Sequence, residues 1–218
     1  MVAFWSWCVL MTLYPKDVVT PAQRMPNVKL EKGNRRVLTP DEFLALAAAI
    51  KPEFRGSIVL QAFCGMRPEE VAPPSREGMS KKSKRGILRE EFDWLYNVIR
   101  IPEEVSKTNF PRITPILPGV EEWLEWAGIR SGQTGSICEN LVTSGETLRL
   151  GVEVFKTGWP QDALRHSFGS YRNAVIRSLD QVADEMGNSV GTLKRYYHNP
   201  KAREEGEAWF NLRPSDIR

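Results

Sequence analysis

Two residues in the C-terminal quarter of the chain, Arg165 and Tyr197, have side chains suited to chemistry on a phosphodiester. A tyrosine hydroxyl can attack phosphorus and hold it as a phosphotyrosine, while guanidinium groups fork onto the non-bridging oxygens where negative charge accumulates. Arg165 lies in Pro160-Gln161-Asp162-Ala163-Leu164-Arg165-His166-Ser167-Phe168, and Tyr197 in Lys194-Arg195-Tyr196-Tyr197-His198. A second arginine, Arg67, stands in Gly65-Met66-Arg67-Pro68-Glu69-Glu70-Val71, after a glycine break and at the mouth of a short helix. Alone, such an arginine reads as one that complements a helix C-terminal dipole. Lys107 sits in Ser106-Lys107-Thr108, and a lone loop lysine carries no chemical assignment.

The elements that must position these residues are legible. Ala163, Leu164, Ser167, Phe168, Tyr171, Ala174 and Val175 fall at the spacing of one buried helix face, with Pro160 supplying the start. A second helix pattern, Ser178 to Met186, stops at Gly187, and a third starts with Ser189 as N-cap and carries both tyrosines at its end. In that third helix Val190, Leu193 and Tyr197 share a stripe, so periodicity places Tyr197 inward and Tyr196 outward. Upstream, Thr39-Pro40-Asp41-Glu42 combines a threonine cap, a proline in the first turn and a glutamate three residues after the cap. A helix from about Pro52 to Cys64-Gly65 delivers the Arg67 stretch. Val98 to Ile101 and Arg112 to Ile116 read as two short strands flanking Lys107, and Glu121 to Ala127 as a further helix. Gly128 to Gly158 is loop-rich, with a candidate helix around Glu146 to Phe155, and Lys201 to Phe210 forms a last helix pattern.

Taken together, Gly65-x-Arg67-Pro68-x-Glu70, Lys107-Thr108 ahead of Arg112-x-x-Pro115, Leu164-Arg165-His166-Ser167-Phe168, Met186-Gly187-Asn188-Ser189 and Tyr197 resemble the motifs of the tyrosine recombinase (phage integrase) family, in the same order. The resemblance covers nearly all of residues 38 to 210. It implies a mainly α (α+β) fold, a helical catalytic domain with a small antiparallel β-sheet, that cleaves and rejoins DNA through a 3′-phosphotyrosine intermediate. Tyr197 would be the nucleophile, Arg67 and Arg165 the transition-state clamp, and Lys107 the acid that protonates the leaving 5′-oxygen. Glu70 would orient Arg67 by a paired hydrogen bond. Two positions depart from the family pattern. Histidine normally stands three residues before the second arginine, where this chain has Asp162, and the residue after Gly187, usually histidine or tryptophan, is Asn188. Asp162 can accept a proton or form an i, i+3 ion pair with Arg165, and Asn188 can donate a hydrogen bond but carries no charge. These departures leave a second reading open, a catalytically impaired DNA-binding remnant of such a recombinase.

By the same resemblance, residues 1–14, apolar and aromatic through Phe4, Trp5, Trp7, Val9 and Leu10, correspond to the end of the last helix of an N-terminal DNA-clamping domain. Residues 15–37, with Pro15, Pro21, Pro26 and Gly33 and no period, form a linker. Residues 38–218 are the catalytic domain with its C-terminal tail helix. Family members often pass such a tail to a neighbouring protomer, so the segment around Trp209 and Phe210 is expected either to support self-association on DNA or to fold back. The basic stretch of Lys81, Lys82, Lys84 and Arg85 reads as a solvated loop or as a loop tracking the phosphate backbone.

Bulk properties set wider bounds. With 218 residues and 41% hydrophobic content the chain can bury one substantial core. A net charge of +3 decides nothing about nucleic acid. Cys8, Cys64 and Cys138 form no C-x-x-C pair, which favours a reducing cytoplasm, and with only two histidines no metal site or cofactor is expected. The N-terminal apolar stretch is too short to span a bilayer and lacks a basic n-region, so no membrane role is expected.

Overall fold

The structure, a computed structural model, describes residues 2–11, 13–15, 17–20, 24, 36–72, 85–138, 160, 162–196 and 200–218. The chain divides into two compact units, Met1–Lys32 and Gly33–Arg218. In the first, helix α1 (Val2–Leu10) is apolar around its circumference, and Trp5 meets Tyr14 edge-on at 5.2 Å. No helix among the described residues is long and apolar enough to cross a membrane.

The second unit is mainly α-helical with one small antiparallel sheet. Helix α2 (Pro40–Ala49) starts as its sequence dictates: the Glu42 amide donates to Thr39 Oγ1 at 3.3 Å and the Thr39 amide to Glu42 Oε2 at 2.9 Å. The helix expected from Pro52 opens as a 3₁₀ turn (Pro52–Phe54) before α3 (Arg55–Cys64), which is buried on every side from Gly56 onward. Gly65 ends α3 in the left-handed conformation, φ 62°, and a Cβ there would lie 2.4 Å from the Phe168 ring. The chain reverses into α4 (Pro68–Val71).

Strands β1 (Phe92–Asp93), β2 (Val98–Ile101) and β3 (Arg112–Pro115) pair in sequence order, antiparallel, with Ile99 opposite Thr114 and Ile101 opposite Arg112. Strand alternation puts Ile99, Ile101, Arg112 and Thr114 on the inner face, and Arg100 and Ile113 on the exposed one. β1 was not expected from sequence, because two residues carry no period.

After α5 (Val120–Trp126) come α6 (Ala163–Ile176), α7 (Leu179–Met186), α8 (Val190–Tyr196) and α9 (Arg203–Phe210). Pro160 lies ahead of α6 rather than in its first turn. Asp162, left-handed at φ 53°, makes the break, and its side chain caps nothing. The expected Ser189 cap of α8 is present, its Oγ accepting from Thr192 N, and Ser178 Oγ caps α7 in the same way by accepting from Gln181 N. The candidate helix from Glu146 to Phe155 lies outside the described residues.

α6 is buried on more faces than its apolar pattern indicates, because α3, α7 and α9 all pack on it. At the centre Phe43, Phe63, Trp123, Tyr171 and Trp209 form an aromatic cluster, with Tyr171 and Trp209 stacked at 4.7 Å. Gly206 lets α9 lie close on α6, for a Cβ there would meet the Tyr171 carbonyl at 2.7 Å. Of the two courses open to the C-terminal segment, the structure shows it folded back: Trp209 is fully buried, and its Nε1 donates to Ala62 O at 3.2 Å. Trp209 and half-buried Phe210 are spent on the chain's own core. Trp209→Ala should therefore lower unfolding free energy by about 3–5 kcal/mol in denaturant titrations. A loss below about 1 kcal/mol would mean that α9 does not dock on its own chain in solution.

Candidate functional site

Arg67, Lys107, Asp162, Arg165 and Asn188, scattered over more than half of the chain, all line one cleft of about 1260 Å³. Its walls come from α4, the β2–β3 loop, the start of α6 and the α7–α8 turn, with Glu69, Thr108, Phe110, Arg112, Asp184 and Thr192 also present.

The organising group is Glu70, whose side chain is fully buried. Its carboxylate accepts from Arg67 Nη1 at 3.1 Å and the Arg67 amide at 2.9 Å, and from Arg112 Nη1 at 3.0 Å and Nη2 at 2.5 Å. Burial by itself pushes the Glu70 carboxyl up. The Arg112 fork, the charges of Arg112 and Arg165 and the Arg67 amide outweigh that and hold it at about 2. The orienting role expected of Glu70 toward Arg67 thus has its hydrogen bonds, and extends to a second arginine.

The C-terminal end of α7 provides the counterpart. Glu185 O accepts from Thr114 Oγ1 at 2.8 Å and Arg112 Nε at 3.2 Å, Met186 O from Arg165 Nη2 at 2.6 Å, and Gly187 O from Arg67 Nη2 at 2.9 Å. Helix C-terminal carbonyls have no partners of their own helix and carry the negative end of its dipole, so cations there are favoured. Arg165, only 1% exposed, also donates to Gly65 O, so one guanidinium joins the turns that end α3 and α7. Gly187 closes α7 at φ 62°, and a Cβ there would press on the Arg112 side chain at 2.9 Å. Behind this surface, Arg172 forks onto Glu185 at 2.9 Å in both contacts and ties α6 to α7.

Asn188 Oδ1 accepts from Arg67 Nη2 at 2.5 Å, which fixes the amide and leaves Nδ2 a buried donor without a partner among the described residues. Asp162 does not make the i, i+3 ion pair with Arg165 weighed from sequence. Among the described residues its carboxylate has no hydrogen-bond or ion-pair partner, and its backbone turns left-handed at φ 53° ahead of the helix. Lys107 is 63% exposed and pairs with Glu69 at 3.3 Å. Arg85 binds Glu91 at 2.6 Å and Glu104 at 2.9 Å, and the Glu91 hydrogen bonds lead in raising its pKa. That places it as a brace for the β2–β3 loop. Lys81, Lys82, Lys84 and Tyr197 lie outside the described residues. Burial pushes the Cys64 thiol up to about 12 and that of Cys138 to about 11, so neither is a nucleophile at neutral pH.

No protein-family model matches the sequence and no curated protein matches it. Solved structures do. The chain is similar to the Tn1549 transposon integrase in complex with transposon right end DNA, with a TM-score of 0.57 and 14% identity over 95% of this chain and 74% of that one. It is similar to XerA recombinase, with a TM-score of 0.53 and 14% identity over 97% and 82%. XerH site-specific recombinase bound to difH substrate matches with a TM-score of 0.50 and 18% identity over 94% of this chain and 62% of that one.

The chain has the fold of the tyrosine recombinase catalytic domain. On this recombinase fold, sequence reasoning placed Arg112 in a motif without giving it a task. The signal was available in Arg112-Ile113-Thr114, since strand alternation sends Arg112 and Thr114 to the same face. Replacing Glu70 by glutamine should cost roughly 3 kcal/mol at neutral pH, because it strands buried guanidinium groups without their counter-charge. A depressed carboxyl contributes stability above its ordinary value of 4.5 and loses it as pH falls toward about 2. Denaturation across pH 4.5 to 2 should accordingly be flatter for Glu70→Gln than for the wild type. Parallel curves would show that Glu70 is not the charge holding the arginines.

Proposed function

We propose that this chain is a site-specific DNA strand transferase that cuts and rejoins DNA through a 3′-phosphotyrosine on Tyr197. One observation carries the reading. Arg67, Lys107, Arg165 and Asn188 meet on one cleft, around a buried carboxylate that holds its arginines in fixed directions. Preorganised donors of this kind stabilise charge that develops on a pentacoordinate phosphorus. The solved structures sharing the fold include recombinases and an integrase in complexes with DNA, which supports DNA as the substrate.

In the proposed reaction the Tyr197 oxygen forms a bond to phosphorus as the bond to the 5′-oxygen breaks. Lys107 gives its proton to that leaving oxygen, since an alkoxide leaves poorly at neutral pH. The unpaired Asp162 carboxylate accepts the proton of the tyrosine hydroxyl. Arg67, Arg165 and the Nδ2 of Asn188 face the non-bridging oxygens. The phosphotyrosine retains the energy of the phosphodiester, so attack by a 5′-hydroxyl reseals the strand without a nucleotide.

The second reading, a DNA-binding remnant with impaired catalysis, is favoured by the acid in the cleft. Asp162 and Asp184 line it, and two carboxylates beside a phosphate weaken the field of the arginines. Covalent trapping on a nicked suicide duplex separates the two. The wild type should trap DNA slowly, Tyr197→Phe should trap none, and Tyr196→Phe should retain trapping. Asp162→His with Asn188→His should raise the rate by roughly 10²-fold, the worth of one well-placed donor. Arg165→Lys is the sounder probe of the clamp than Arg165→Ala, because the buried guanidinium also joins two helix ends. Wild-type protein that binds DNA but never traps it would establish the remnant.

A further inference from the structure

The β2–β3 loop carries an exposed aromatic residue that neither the chemistry nor the core uses. Phe110 is 74% exposed, lines the cleft three residues beyond Lys107, and has no ring partner among the described residues. Single exposed apolar residues are common and mean little alone. This one differs in how it is held. The base of the loop is pinned by buried Val105 and Ser106, whose amides donate to Pro102 O at 3.2 and 3.0 Å. The Asn109 amide donates to Ser106 O at 3.1 Å, and Asn109 itself turns left-handed at φ 55°. Pro111 follows and restricts the backbone of Phe110 to extended conformations. The ring is therefore presented by a braced turn, so little freedom remains to be lost when it meets a partner.

Its surroundings define that partner. Phe110, Pro111 and half-exposed Ile113 form an apolar lip on a cleft whose other groups include Arg67, Lys107, Arg112 and Arg165. A nucleotide divides the same way, with an anionic phosphate joined to the apolar faces of a sugar and a base. Phenylalanine is among the side chains that proteins insert against base steps, and base–aromatic contact tolerates any sequence because every base has a π-face.

We infer that Phe110 is a DNA-contacting residue, its ring packing on the sugar and base of the nucleotide adjoining the phosphate that Lys107 reaches. The inference rests on the cleft's being the DNA cleft. It adds a positioning contact that aligns the scissile phosphate through its neighbouring nucleotide.

Binding of the full chain to a fluorescein-labelled mixed-sequence duplex, measured across a salt series, tests it. Phe110→Ala should weaken binding roughly 5- to 150-fold, as loss of one stacked base does. The slope of log Kd against log salt should not change, because no phosphate contact is lost. Lys107→Ala should instead reduce that slope by about one unit. Phe110→Trp should restore the affinity, and its exposed position makes all three variants compatible with folding. Wild-type protein that binds no duplex at low salt would overturn the DNA reading and this contact with it. Wild-type binding with Phe110→Ala unchanged would overturn the contact alone and leave a protein partner for the lip.

Discussion

Everything at the cleft depends on a carboxylate that water cannot reach. Arg67, Arg112 and Arg165 gather within a few residues' width of one another, and like charges at that distance in a poorly hydrated site repel strongly. Glu70 supplies the compensating charge from below and is itself kept ionised by the arginines it organises. Neither side is stable without the other. A buried charge stripped of its partner costs far more than an exposed ion pair is worth.

The backbone completes what one carboxylate cannot. Three consecutive carbonyls at the end of α7 each accept from an arginine, and Thr114 supports the first. These bonds give the guanidinium groups direction as well as neutralisation. A planar fork held at two of its corners can present the remaining N–H groups to only one place. The left-handed glycines are part of this arrangement, since Gly65 sets Arg67 off from α3 and Gly187 exposes the carbonyl that Arg67 takes up. Asn188 Oδ1 is also bound to Arg67, so the side chain after Gly187 is fixed by the same guanidinium, with its Nδ2 buried and unpartnered among the described residues.

The cleft is also less positive than its arginines imply. Glu69 pairs with Lys107, and Asp162 and Asp184 stand on the walls. The net field of the cleft is thus a difference between fixed cations and fixed acids, with the apolar side chains of Phe110, Pro111 and Ile113 on the same lining. Arg85 belongs to the scaffold, since its two carboxylate partners tie the start of the sheet region to the loop that carries Lys107.

Local signals decided much of the protein. The Thr39 capping box, the glycine stops at Gly65 and Gly187 and the Ser189 cap depend on neighbours within four residues, so the sequence determined them by itself. The order of Arg67, Lys107 and Arg165 was equally legible, because motif residues keep their spacing. What required the tertiary structure was every relation between elements. No periodicity reveals that Arg165 links the ends of α3 and α7, that Arg112 shares Glu70 with Arg67, or that Asp162 stands clear of Arg165 in a left-handed turn. The direction taken by α9 was open for the same reason: an amphipathic helix with Trp209 buries that ring wherever a matching surface exists. Only the packed chain, with Gly206 against Tyr171 and the indole on the Ala62 carbonyl, supplied that surface from within, because the free energy of burial is set by the partner found and not by the residue that seeks it.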